Sequence, residues 1–172
     1  MQLNRDALIG PDASEALLPR SGAGMTTKQT ERVKNRIKED LMDAAQNRKL
    51  IEDAFGGWMR GDRSAFNNLL ADDLRWTVIG NSPVSGRYNS KREFLEGAGA
   101  RMAEKLATPI QTTLRHVIAD GNMVALVFDG RATGKNGTDY RQTYCWVLRL
   151  EEGRVREGTA YLDTELITKL FA

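Results

Sequence analysis

The sequence predicts an α+β fold, antiparallel strands following a largely helical N-terminal half. Three observations carry this. Apolar residues recur at spacings of three and four over the first half of the chain. The period then changes to two in four long runs joined by Gly- and Asn-containing turns. Helical and strand-like segments are segregated rather than alternating, which excludes a parallel α/β sheet.

The elements follow in order. Residues Met1 to Gly24 hold Pro11, Pro19 and several glycines around one weak apolar patch, and are expected to form a disordered tail. Met25 before Thr26-Thr27 would make a natural start and helix cap, so the expected domain spans 25–172. From about Thr27 to Met59, Val33, Ile37, Leu41, Ala44, Ala45, Leu50, Ile51, Ala54, Phe55 and Trp58 mark an apolar helical stripe, either one helix or two with a bend near Asn47. Gly61 stops it, and Asp62 caps a second short helix through Leu70.

Leu74 to Ile79 reads as a strand, Gly80-Asn81-Ser82-Pro83 as a reversal, and Val84 to Tyr88 as a short return strand. Asn89 or Ser90 then caps a helix that Pro109 ends. Ile110 to Ala119, Met123 to Thr133, Tyr140 to Leu150 and Arg154 to Leu162 are the long strands. A short helix from Asp163 to Phe171 closes the domain.

Composition narrows the function. The 172 residues are 41% hydrophobic and 28% charged, with a net charge of +2 from 25 basic and 23 acidic side chains. No basic cluster of the kind nucleic-acid binding needs stands out, so no nucleic-acid partner is expected. A single cysteine, Cys145, and a single histidine, His116, leave no disulfide framework and no multi-histidine or cysteine-rich metal site within one chain. A carboxylate-only Mg²⁺ or Ca²⁺ site stays open, though no loop signature marks one; with neither Gly-x-Gly-x-x-Gly nor a P-loop in the sequence, no cofactor is expected. No apolar run approaches the ~18 residues of a membrane span, and no signal-peptide pattern opens the chain. The expected location is the cytoplasm, with no membrane partner.

Strand alternation assigns faces. In the third long strand Tyr140, Gln142, Tyr144, Trp146, Leu148 and Leu150 share one large aromatic face, expected to meet the helices. Arg141, Thr143, Cys145, Val147 and Arg149 share the other, a mixed surface suited to a second subunit. In the first long strand Thr112, Leu114, His116 and Ile118 alternate together. In the last, Val155, Glu157, Thr159, Tyr161 and Asp163 do so if no bulge intervenes. An aromatic sheet capped by helices can enclose a pocket instead of a filled core, apolar with a few orienting polar groups. The candidates for those groups are His116, Asp129, Gln142, Tyr144, Tyr161 and Asp163. Trp76 and Trp146 are candidate walls and Tyr88 a residue of the mouth.

Three stretches resemble a known family: "LIEDAFGGWMRGDRSAFNNLLADDLRWTVIG", "GNSPVSGRYNSKREF" and "EGTAYLDTELITKLF". With the element order they cover about Lys49 to Phe171. They are similar to the SnoaL-like branch of the ketosteroid isomerase and nuclear transport factor 2-like superfamily. The resemblance implies a conical α+β barrel of the cystatin type, a deep pocket and a homodimer. It also implies a cofactor-free isomerase, cyclase or hydrolase that works by an acidic base beside phenol, carboxyl or histidine groups. Members that only bind a small hydrophobic molecule or a partner are the alternative.

On that footing Asp163 either caps the last helix or serves as the pocket base. His116 is either a satisfied strand histidine or a proton carrier, its ordinary pKa lying near physiological pH. Asp129 is either a surface charge paired with an arginine or a pocket acid. Tyr144 or Tyr161 would donate to a developing oxyanion. Cys145, with no histidine partner in view, reads as inert. Two ionisable groups converging within hydrogen-bond reach would favour an enzyme, and one isolated carboxylate a binding module.

Overall fold

The computed structural model describes residues 26–172, except the side chains of 38–42; the N-terminal tail, Met25 as a start and the side chain of Leu41 lie outside the described residues. Helix α1 (Thr27–Met59) is continuous, with no second helix beginning near Asn47. A reciprocal cap starts it. The Gln29 amide donates to Thr26 Oγ1, and the Thr26 amide donates back to Gln29 Oε1 at 2.9 Å. Asn47 reaches across to donate to the carbonyl of Gly121 at 3.0 Å, which fastens the helix to the turn at 121–122. Helix α2 (Arg63–Asn67) is shorter than the sequence suggests, because Leu70 already belongs to β1.

Strand β1 (Leu70–Val78) reverses into β2 (Gly86–Tyr88). Helix α3 (Lys91–Phe94), a π-helical stretch (Leu95–Ala100) and α4 (Arg101–Lys105) then run on without a break. Strands β3 (Gln111–Asp120), β4 (Met123–Thr133), β5 (Asp139–Glu151) and β6 (Arg154–Tyr161) follow, and α5 (Thr164–Phe171) ends the fold. The turn glycines Gly121 and Gly137 have φ of 53° and 85°, the left-handed region a hairpin turn demands.

Among the described residues, six strands form one sheet in the order β2-β1-β6-β5-β4-β3. It curves but does not close, since β2 and β3 remain as edges, and helices complete the enclosure. All neighbours are antiparallel except β1 and β6, which run parallel. The core lies between the concave face and the helices, with α1 packed on β3 and β4. The inward face of β5 is as the alternation predicts: Tyr140, Gln142, Tyr144, Trp146, Leu148 and Leu150 are all buried.

Two strands depart from simple alternation, for one reason. In β3 the pairing steps from Leu114↔Phe128 to His116↔Val127, so two residues oppose one. Such a bulge resets which residues face inward. Thr112 and Val117 are buried, while Arg115 and His116 are both exposed and Ile118 is 65% exposed. In β6 the pairing steps from Leu150↔Val155 to Arg149↔Glu157. Val155, Gly158 and Ala160 point inward, and Tyr161 is 46% exposed. The expected faces through His116 and through Tyr161 are thereby corrected.

Candidate functional site

The concave face and the helices enclose a cavity of about 410 Å³, within the ~300–1,000 Å³ typical of small-molecule pockets. Its walls come from β1 (Trp76, Val78), β4 (Phe128), β5 (Tyr140, Tyr144, Trp146) and the 95–103 helical stretch, with Trp58 and Phe66 from the first two helices. The aromatic rings brace one another. Phe128 and Tyr144 stack at 4.6 Å, Trp76 and Phe94 stack at 4.4 Å, and Trp146 meets Trp76 edge-on at 5.0 Å. Gly97, in the π-helical stretch, lies against the Tyr88 ring so closely that a Cβ there would sit 2.5 Å from Cε1.

Polar groups in the wall are few. The hydroxyls of Tyr140 and Tyr144 meet at 2.6 Å, buried from bulk solvent. They stand four residues apart on one strand, so alternation turns both inward. Burial raises the pKa of both above the ordinary phenol value, well above it for Tyr144. Both remain protonated at neutral pH. Trp58 Nε1, Trp76 Nε1 and Thr112 Oγ1 are buried without a hydrogen-bond partner, and all three residues line the cavity. Arg63 and Asn67 are the remaining polar members. Among the described residues, no carboxylate and no imidazole lines the cavity, and no group of three or more His, Cys, Asp or Glu side chains could hold a metal ion.

Of the residues singled out from the sequence, Trp76, Tyr144 and Trp146 line the cavity and six do not. His116 is exposed on the convex face, turned there by the bulge. Asp129 is on the same face, paired with Arg115 at 2.8 Å and accepting from Thr143 Oγ1 at 2.8 Å. Tyr161 is on that face too. Tyr88 donates to the carbonyl of Val84 at 2.7 Å and packs behind the wall. Gln142 is buried but fully engaged: its amide donates to the Asp163 carbonyl at 2.8 Å and accepts from the Asp163 amide at 3.0 Å. It clamps the β6–α5 junction to the first part of β5.

Asp163 is exposed and caps α5, its Oδ1 accepting from the amides of Glu165 (2.9 Å) and Leu166 (3.3 Å). Asp163→Ala should therefore lower stability by about 1 kcal/mol, whereas Asp163→Asn, an equally good cap, should leave it nearly unchanged. Urea unfolding curves of the two variants check this; equal losses would point to a role for the charge itself.

Tyr140, Thr112, Phe128, Trp58 and Arg63 line the cavity without having been singled out as site residues. The inward alternation of β5 already carried Tyr140. Arg63 gives no signal in the sequence beyond its place after a helix cap.

A curved α+β sheet wrapped by helices around an apolar cavity defines the nuclear transport factor 2-like, or cystatin-like, architecture. The SnoaL-like domain model matches residues 51–158, and the chain belongs to that family. Among solved structures it is similar to an NTF2-like protein from Burkholderia thailandensis (20% identity, TM-score 0.65, covering 73% of this chain and 97% of that one). It is also similar to an LEH-like epoxide hydrolase from M. tuberculosis (17%, TM-score 0.55, 74% and 90%). A third is TerC, co-crystallized with polyporic acid (18%, TM-score 0.58, 72% and 96%). At these identities the likeness is one of fold. No curated protein matches the sequence significantly. No described helix is long and apolar enough to cross a membrane.

Proposed function

We propose that the protein is a small-molecule-binding member of its family, holding an apolar ligand in the cavity and orienting it through the Tyr140–Tyr144 hydroxyls. The observation that carries this is the make-up of the wall: aromatic and aliphatic surface, a protonated phenol pair, and neither carboxylate nor imidazole among the described lining residues. An unpartnered buried donor forfeits about 1–3 kcal/mol, so a ligand acceptor reaching Trp58, Trp76 or Thr112 would recover part of that. Two relatives in fold are described with small-molecule chemistry, an epoxide hydrolase and a protein crystallized with polyporic acid, which supports the ligand class.

The second reading is a cofactor-free isomerase, cyclase or hydrolase. Its specific support is that two ionisable hydroxyls do converge, at 2.6 Å, and could donate to a developing oxyanion. Against it, the described lining residues offer no base: both phenols keep their protons, and Asp163 and His116 are not among that lining. We place a second copy on the convex face, where Ile118, Met123 and Tyr161 are exposed around the half-buried Cys145 and Val147.

Native mass spectrometry of the purified protein, with calorimetric titration of 2-acetylnaphthalene, tests both parts. The expected result is a dimer taking up one probe per chain. Ala103→Trp, which fills the lining from an exposed position, should weaken uptake by about tenfold or more, and His116→Ala and Asp163→Asn should not. Absence of uptake would overturn the binding reading. Conversion of an enol, carbonyl or epoxide panel, lost in Tyr144→Phe, would replace it with the catalytic one.

A further inference from the structure

We propose that the ligand is an amphipathic anion, an apolar body bearing one acidic group that is held at the cavity rim by Arg63; this rests on the small-molecule reading above. The exposed members of the lining, Arg63, Gly99, Ala100 and Ala103, mark where the cavity meets solvent. Of the described residues in the lining, Arg63 is the only charged one. It makes no salt bridge among the described residues, although most arginines around the sheet do.

The nearest acid in sequence, Asp62, is engaged elsewhere. Its Oδ1 accepts from the Ser64 amide at 2.9 Å and from the Ser64 hydroxyl at 2.5 Å. Arg60 lies close enough to favour the Asp62 carboxylate further. Arg63 is thus left as an uncommitted fork of donors at the opening, a geometry that suits a carboxylate or an enolate.

The depth of the cavity agrees. The Arg63 charge acts on the Tyr144 hydroxyl, opposing the rise that burial causes. Arg63 and both phenols line the same cavity, and of the two phenols Tyr144 is the one that feels the guanidinium charge. An acidic group at the rim would accept from Arg63, and an acceptor deeper in the ligand would meet the hydroxyl pair. A cationic head would meet the Arg63 charge with no carboxylate among the described wall residues to offset it, and a neutral head could accept from Arg63 but would forgo the ion pair. One sign of charge in an otherwise apolar wall discriminates among ligands more than it adds affinity.

The test compares three probes with the same rings: 2-naphthoate, neutral 2-naphthamide and protonated 2-(aminomethyl)naphthalene. Each is titrated calorimetrically into the full chain and into Arg63→Gln and Arg63→Lys. Naphthoate is expected to bind at least about fivefold more tightly than naphthamide, with the amine weakest and the naphthoate advantage shrinking in high salt. Arg63→Gln should erase the advantage by weakening naphthoate far more than naphthamide, with circular dichroism and the urea midpoint showing that the variant is folded. Arg63→Lys should keep part of it. Equal binding of acid and amide by the unaltered protein, or an advantage that survives Arg63→Gln, would overturn the assignment of the acidic end. Failure of all three probes to bind would instead overturn the small-molecule reading on which it rests.

Discussion

Gly158→Val is expected to destabilise the protein by about 3 kcal/mol or more, the upper range for overpacking a filled core. Gly158 pairs with Trp76 across the parallel β1–β6 ladder. A Cβ at 158 would lie 2.2 Å from Trp76 Cε3 and 2.3 Å from Cζ3. The indole cannot step aside, because Phe94 stacks on it and Trp146 stands edge-on against it. Backbone strain plays no part, since Gly158 does not have positive φ; the requirement is for space alone. Urea unfolding measures the loss. Gly158→Ala should show a smaller loss, and adding Trp76→Leu to it should cost less than the two changes apart, a coupling between residues in contact. A Gly158→Ala protein as stable as the original would mean that the ring has room and that the account is wrong.

The second large effect is alkaline. Burial raises the pKa of both Tyr140 and Tyr144 in the folded chain above the ordinary 10.0. In the unfolded chain they ionise near that value. Above it the unfolded state binds fewer protons than the folded one, so stability falls as pH rises; below it their contribution is level. The slope approaches about 1.4 kcal/mol per pH unit for each tyrosine. Urea midpoints measured from neutral pH to a unit beyond 10.0 should show this decline, and the Tyr140→Phe/Tyr144→Phe protein should show much less of it. An equal decline in both proteins would assign the alkaline sensitivity to other groups.

The sequence and the structure agree most closely where a local rule met no competing one. Met123–Thr133 has the same bounds in both, framed by a Gly-Asn turn on one side and an Asn-Gly turn on the other. The inward aromatic face of β5 follows from alternation because β5 carries no irregularity within 139–149. His116 and Tyr161 were assigned to the wrong face because a bulge adds one residue to each strand, and neither Arg115 nor Arg156 announces it. Asp163 was legible as either a helix cap or a pocket base, and the cap is what it forms. The enclosure around the cavity was less legible. Its walls join residues as distant as Trp58 and Ile167, and no periodicity within one segment reports which segments will face each other. Arg63 belongs to that class, since its interest comes only from which side chains fail to accompany it.

The bulge in β3 has a consequence for colloidal behaviour. β3 is a strand of ten residues at the edge of the sheet, with one side unpaired among the described strands. A long, flat and regular edge is a template on which a second molecule's strand can grow, and such growth leads to aggregation. Here the register slips midway, and Arg115 and His116 crowd the same stretch of the convex side. A foreign strand would have to match a two-against-one step and meet a charged side chain beside it. The irregularity that keeps an imidazole out of the cavity also limits the sheet to the strands it already has.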